Sequence, residues 1–143
     1  MAISPSLRRL LSIRELQEEQ SEAALASVVH EIAQLRAAQS HAGVRATQAR
    51  RLLEASVRCD VPSDRWIGLQ EEHIAIKLAT QLADHVAATE REAETLRTHY
   101  LEARMERRQV QTVAQNAVKA VATDAEHKEQ RDLDEWHRAH HFS

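Results

Sequence analysis

Apolar residues recur along this chain in steps of three and four. The clearest run is Leu82, Val86, Thr89, Ala93, Leu96, Tyr100, Ala103, Arg107, Val110, Ala114, Ala117 and Val121, with no Pro or Gly anywhere between its ends. Only Thr89 and Arg107 in that run are not apolar. Such spacing predicts one long α-helix presenting a narrow seam to a partner helix. The partner lies upstream. Ser4 followed by Pro5 is a helix start, since serine accepts from an orphan amide and proline loses nothing at the first helical position. Apolar residues follow at Leu7, Leu10, Leu11, Ile13 and Leu16. After a polar interval the seam resumes at Leu25, Val28, Ile32 and Leu35, passes through Ala42, Ala46 and Ala49, and reaches Leu53. Gly43 costs this helix about 1 kcal/mol relative to alanine. Beside Ala42 and Ala46 it predicts close packing or a flexible point, not a break.

The break falls at Arg58-Cys59-Asp60-Val61-Pro62-Ser63-Asp64. Pro62 moves Val61 out of helical geometry, and Ser63 or Asp64 is placed to cap a new helix. So short a connection folds two helices into an antiparallel αα-hairpin. The expected class is therefore all-α: helix 1 over about 5–59, a turn at about 60–63 and helix 2 over about 64–139, within a single hairpin spanning 1–143. Helix 2 opens with Trp66, Ile67, Leu69, Ile74 and Ile76, and the steps of four through Ile74, Leu78 and Leu82 read as a stutter.

Folding about Val61 and Pro62 sets Val57 opposite Trp66, Leu35 near Ala88, Val28 near Leu96 and Leu11 near Val113. Helix 1 then runs out opposite Val118 to Val121. The seam ends at the same place, because its next positions, Asp124, Lys128 and Arg131, are charged. The two arguments agree on unequal arms: a paired rod of roughly 80 Å and a single-helix overhang of up to ~30 Å after Val121.

Composition supports this reading. The 143 residues include two Gly, two Pro and four aromatic residues, too little for a thick core. A net charge of -3 with both signs mixed along the length leaves no footprint for nucleic acid or anionic lipid. Cys59 is the only cysteine, so no intrachain disulfide forms and a reducing compartment fits. No apolar run reaches the ~18 residues of a membrane span, and Met1 to Ser12 lacks a signal peptide's apolar centre. The protein is expected in the cytoplasm.

Catalysis finds little support, because every His and carboxylate falls on a helix surface open to water, with no walls to shift a pKa or hold a substrate. No cofactor is expected. His137, His140 and His141 share one helical face, a spacing that suits a transition metal, but a chain end supplies no outer shell to orient them. Arg104, Arg107 and Arg108 form the densest basic patch, interleaved with Glu102 and Glu106, and read as a solvated, ion-paired face. Arg107 lies on the seam itself, so it snorkels outward or meets Glu15, Glu18 or Glu19 of helix 1. Trp66 and Ile67 near the turn, and Leu133 and Trp136 in the overhang, are apolar residues for which a two-helix hairpin has no core.

The opening Leu7-Arg8-Arg9-Leu10-Leu11-Ser12-Ile13-Arg14-Glu15-Leu16-Gln17-Glu18-Glu19-Gln20, followed by Ala23-Ala24-Leu25-Ala26, resembles the start of the FliJ family of flagellar export proteins. Arg107-Arg108-Gln109, Lys128-Glu129-Gln130-Arg131 and Leu133-Asp134-Glu135-Trp136 look like that family's C-terminal helix. The order of these pieces, with length and hairpin plan, extends the similarity over nearly the whole chain. The resemblance implies a stalk of a type III export apparatus, similar to the YscO-type proteins of injectisomes. Its terminal end would enter a hexameric export ATPase and promote its assembly and activity, its turn would reach the cytoplasmic domain of the export gate, and it would handle export chaperones at the cytoplasmic side of the inner membrane, without inserting there. Carried onto this sequence, Arg8, Arg9, Leu133 and Trp136 face the ring, and Leu53, Val57, Trp66 and Ile67 face the gate. The histidine-rich ending after Trp136 departs from the family pattern. A generic coiled-coil adaptor unrelated to secretion, or a small enzyme or metal-binding protein using the histidines, are the other readings the residues allow.

Overall fold

The computed structural model describes residues 3–141. Helix α1 covers Pro5–Cys59 and helix α2 covers Pro62–His141, packed against each other with no strand among the described residues. The connection is shorter than the expected 60–63, because only Asp60 and Val61 lie outside the helices. Asp60 takes a left-handed backbone with φ 52°. That turn lets the Val61 amide donate to the Ser56 carbonyl at 3.1 Å, which closes the end of α1. The Arg65 amide then donates to the Val61 carbonyl at 3.1 Å. Val61 is thus the cap residue and Pro62 the first helical one, so neither Ser63 nor Asp64 caps α2 as the sequence suggested; proline needs no amide partner at that position. At the start of α1 the Leu7 amide donates to Ser4 Oγ at 3.1 Å, the expected serine cap.

The chain divides into two packing units. The first, Glu22–Thr98, contains the turn. Its α1 seam is Leu25, Val28, Ile32, Leu35, Gln39, Ala42, Ala46, Ala49, Leu53 and Ser56, all buried or half-buried. Its α2 seam is Gly68, Glu72, Ala75, Ala79, Leu82, Val86, Thr89, Ala93 and Leu96. Both run in unbroken steps of three and four, so the expected stutter is absent: Ile74 and Leu78 lie off the seam and are exposed. Val28, Ile32 and Ala93, with Leu96 against them, form the main apolar cluster. Thr89 keeps its buried hydroxyl satisfied by donating to the His85 carbonyl at 2.8 Å. Ion pairs of Arg36 with Glu90, and of Arg45 with Glu71 at 2.8 Å, flank the seam in the register that folding at residues 61 and 62 requires.

Close to the turn the seam holds small residues, and the helices approach accordingly. A Cβ on Gly68 would meet the Ala49 carbonyl oxygen, Leu53 Cβ and the Leu53 nitrogen, each at 3.2 Å. Gly68 is therefore the point of close packing. Gly43, expected to play that part, has open space where its Cβ would stand.

The second unit joins the residues through Ser21 to those from His99 onward. Here the α1 seam is Leu7, Leu11, Arg14, Glu18 and Ser21, all half-buried. The polar interval in the sequence is thus part of the seam, whereas Leu10, Ile13 and Leu16 lie outside it, exposed. On α2 the seam is Tyr100, Ala103, Arg107, Val110, Ala114 and Ala117. Ile3 and Leu11 share an apolar cleft with Ala114 and Val118 at the start of α1. Every described residue from Val118 to His141 is exposed, Val121 included.

Three substitutions test these backbone arguments by urea unfolding. Gly43→Ala should stabilise by about 0.5–1 kcal/mol, the plain helix gain. Gly68→Ala carries the same gain but forces backbone apart, and should fall about 1–3 kcal/mol short of it. Asp60→Gly should stabilise by up to about 1 kcal/mol by relieving the left-handed strain.

Candidate functional site

The chemically distinctive part of the seam is the ion-paired layer of the second unit. Arg107 reaches across from α2, donating from Nε to Glu18 Oε2 at 2.6 Å and from Nη2 to Glu18 Oε1 at 3.3 Å. A third donor, Nη1, serves Gln111 Oε1 at 2.5 Å. One turn away, Arg14 Nη1 of α1 donates to Glu106 Oε2 at 2.7 Å. The Glu18 and Arg107 side chains keep only 16% and 22% of their exposure, so this pair is held between the helices and the planar fork of arginine meets both carboxylate oxygens. The hydrogen bond from Arg107 holds the Glu18 carboxyl below its ordinary 4.5, aided by the charges of Arg107, Arg104 and Arg108 and opposed by desolvation. The Arg107 guanidinium is held charged by the same bond. Of the three acids that the sequence offered Arg107, the structure selects Glu18.

The residues assigned to partner contact lie in three places. Arg8 and Arg9 are exposed on α1. Leu133 and Trp136 are exposed on the continuation of α2, at 53% and 55%. Trp136 stacks on His140 with ring centroids 4.1 Å apart, and meets His137 edge-on at 5.2 Å. Near the turn, Val57, Trp66 and Ile67 are exposed, Trp66 at 64%, whereas Leu53 sits half-buried in the seam beside Gly68. The structure adds Leu52, Leu69, Ile74, Ile76 and Leu78 to the exposed apolar set of this region. Sequence reading missed several of these by assigning them to the seam. The signal was the heptad itself, which counted back from Leu82 lands on Ala79, Ala75, Glu72 and Gly68.

Three of the acids around that apolar set are ion-paired within the unit. Glu71 faces Arg45, Glu72 faces Arg50 at 3.2 Å, and Asp60 faces Arg65 at 3.5 Å. Among the described residues no group of three or more His, Cys, Asp or Glu is arranged to hold a metal ion. No described helix is long and apolar enough to cross a membrane.

The fold defines an α-helical coiled-coil hairpin with exposed apolar residues near its turn, at the start of α1 and on the last part of α2. The family described as the flagellar FliJ protein matches residues 3–142, nearly the whole chain. The chain belongs to the FliJ family, which makes it a protein related to flagellar, type III export. Neither the curated proteins nor the solved structures contain a match to this sequence.

The depressed Glu18 carboxyl carries a pH dependence of definite sign. Its contribution to stability is complete above the ordinary value of 4.5 and is lost as pH falls through the lowered native value. In Glu18→Gln that portion is missing, so the gap in urea midpoint between the parent and the variant should be widest at neutral pH and shrink as pH drops below 4.5. A gap that stays constant down to pH ~3 would contradict the linkage.

Proposed function

We propose that this protein is a cytoplasmic stalk of a type III export apparatus, peripheral to the inner membrane, which links a hexameric export ATPase to the export gate and promotes the ATPase's assembly and activity. The observation that carries this reading is the end of α2, where every described residue from Val118 to His141 is exposed and Leu133 and Trp136 are the large apolar side chains of its distal part. A bare helix of that kind fits a channel lined by another protein. Arg8, Arg9, Leu133 and Trp136 are the residues assigned to the ring.

At the turn, Val57, Trp66 and Ile67, with Leu53 behind them in the seam, are assigned to the cytoplasmic domain of the gate. Their exposed side chains are apolar, and Glu71 and Glu72 further along α2 are already ion-paired, which suits an apolar contact. The same region is available to export chaperones. The role needs no catalysis, cofactor, nucleic acid or membrane insertion.

The test is addition of substoichiometric protein to the purified export ATPase, with hydrolysis and hexamer formation followed together. Both should rise. Leu133→Ala combined with Trp136→Ala should weaken the effect by roughly 30-fold in half-maximal concentration, the loss of about 2 kcal/mol expected for a buried aromatic anchor. No response to the parent protein in either readout would refute the assignment.

A further inference from the structure

We propose that the segment of α1 from Pro5 to Ser21 is an arm that opens away from α2 as a unit, with the Arg14, Glu18, Glu106 and Arg107 cluster as its latch. Three observations carry it. No residue of α1 before Val28 is buried, and the middle layers of the arm's seam are Arg14, Glu18 and Ser21 instead of apolar side chains. Ion pairs of this kind specify register and orientation more than they hold a helix down, because each partner gives up hydration to make them. Leu7 and Leu11, with Ile3 just ahead of the arm, supply the apolar part of the closure.

The second observation is a cost of the closed form. Arg14 Nε is buried without a hydrogen-bond partner, so closing the arm strands a donor that water satisfies when the arm is open. The third is the distribution of apolar residues. Leu7, Leu10, Leu11, Ile13 and Leu16 lie around the arm on several sides, and closure covers only Leu7 and Leu11; Leu10, Ile13 and Leu16 are exposed already. A helix apolar on several sides is one whose environment in use differs from water. Opening frees Leu7 and Leu11 to join the other three and uncovers Tyr100, Ala103 and Val110 on α2.

Hydrogen exchange on the full chain tests this. Amides from Arg9 to Ser21 should exchange at one common rate, at least about tenfold faster than amides from Val28 to Ala49, with a step near Ser21. The difference should widen when salt is raised from about 0.05 M to about 0.5 M, because screening weakens the latch. The double variant Glu18→Leu, Arg107→Leu replaces the central pair by apolar contact while Arg14 and Glu106 remain, and should slow exchange of the arm about tenfold and diminish the salt response. Equal rates in the two segments overturn the proposal. So does a smooth rise in rate toward Pro5, which is ordinary end fraying, or an arm unaffected by the double variant while its circular dichroism remains helical.

Discussion

Two helices have room for one line of contact, and everything else in this chain follows from what occupies that line. A residue on the seam is covered and a residue off it is not, because no third element lies behind either helix among the described residues. Large apolar side chains off the seam are therefore exposed by geometry. Their positions are set by the spacing of the seam, and that spacing is unbroken within each unit.

The chemistry of the seam changes along its length, and each kind of residue has its own physical effect. Gly68, Ala75 and Ala79 opposite Ala42, Ala46 and Ala49 let the backbones come together, to the point that a Cβ at Gly68 would crowd α1 at 3.2 Å. No space remains there for Trp66, Ile67 or Ile74, so these point outward. Val28, Ile32 and Ala93, with Leu96 packed against them, form the cluster with the larger apolar side chains. In the other unit Glu18 and Arg107 replace apolar contact with a bidentate ion pair, which fixes alignment because a shift of one heptad would bury each charge without its partner. After Ala117 the seam has no occupant, and α2 is bare.

Much of this was legible in the residues. The α2 seam from Leu82 to Ala117, the serine cap, the site of the turn, the pairing register and an acid for Arg107 all follow from periodicity and elementary helix chemistry. The errors along the seam share one cause, which is reading a seam as the line of largest apolar residues. Near the turn that rule selected Ile74 and Leu78 over Ala75 and Ala79, and produced a stutter that the helices do not have. Near the start it took Arg14, Glu18 and Ser21 for an interruption, although counting in sevens from Val28 and Leu25 lands on them. Interhelical distance decides which side-chain size a position needs, and one helix read alone carries no measure of that distance. The contacts assigned to partners were legible only as residues left without a core, since a contact surface is defined by its complement and the complement is another chain.

The two units also differ in how their surfaces respond to solvent. Around the turn Glu71, Glu72 and Asp60 each face an arginine of their own unit, and contact at the exposed apolar residues near them gains from removing apolar area from water. In the unit built on the Glu18 and Arg107 pair, apolar contacts such as Leu7 and Leu11 are joined by an electrostatic one that is half-exposed at its edge, where Arg14 meets Glu106. The difference between the two seams, mostly small or apolar in one unit and charged at Arg14, Glu18 and Arg107 in the other, arises from which residues were placed on a single line of contact.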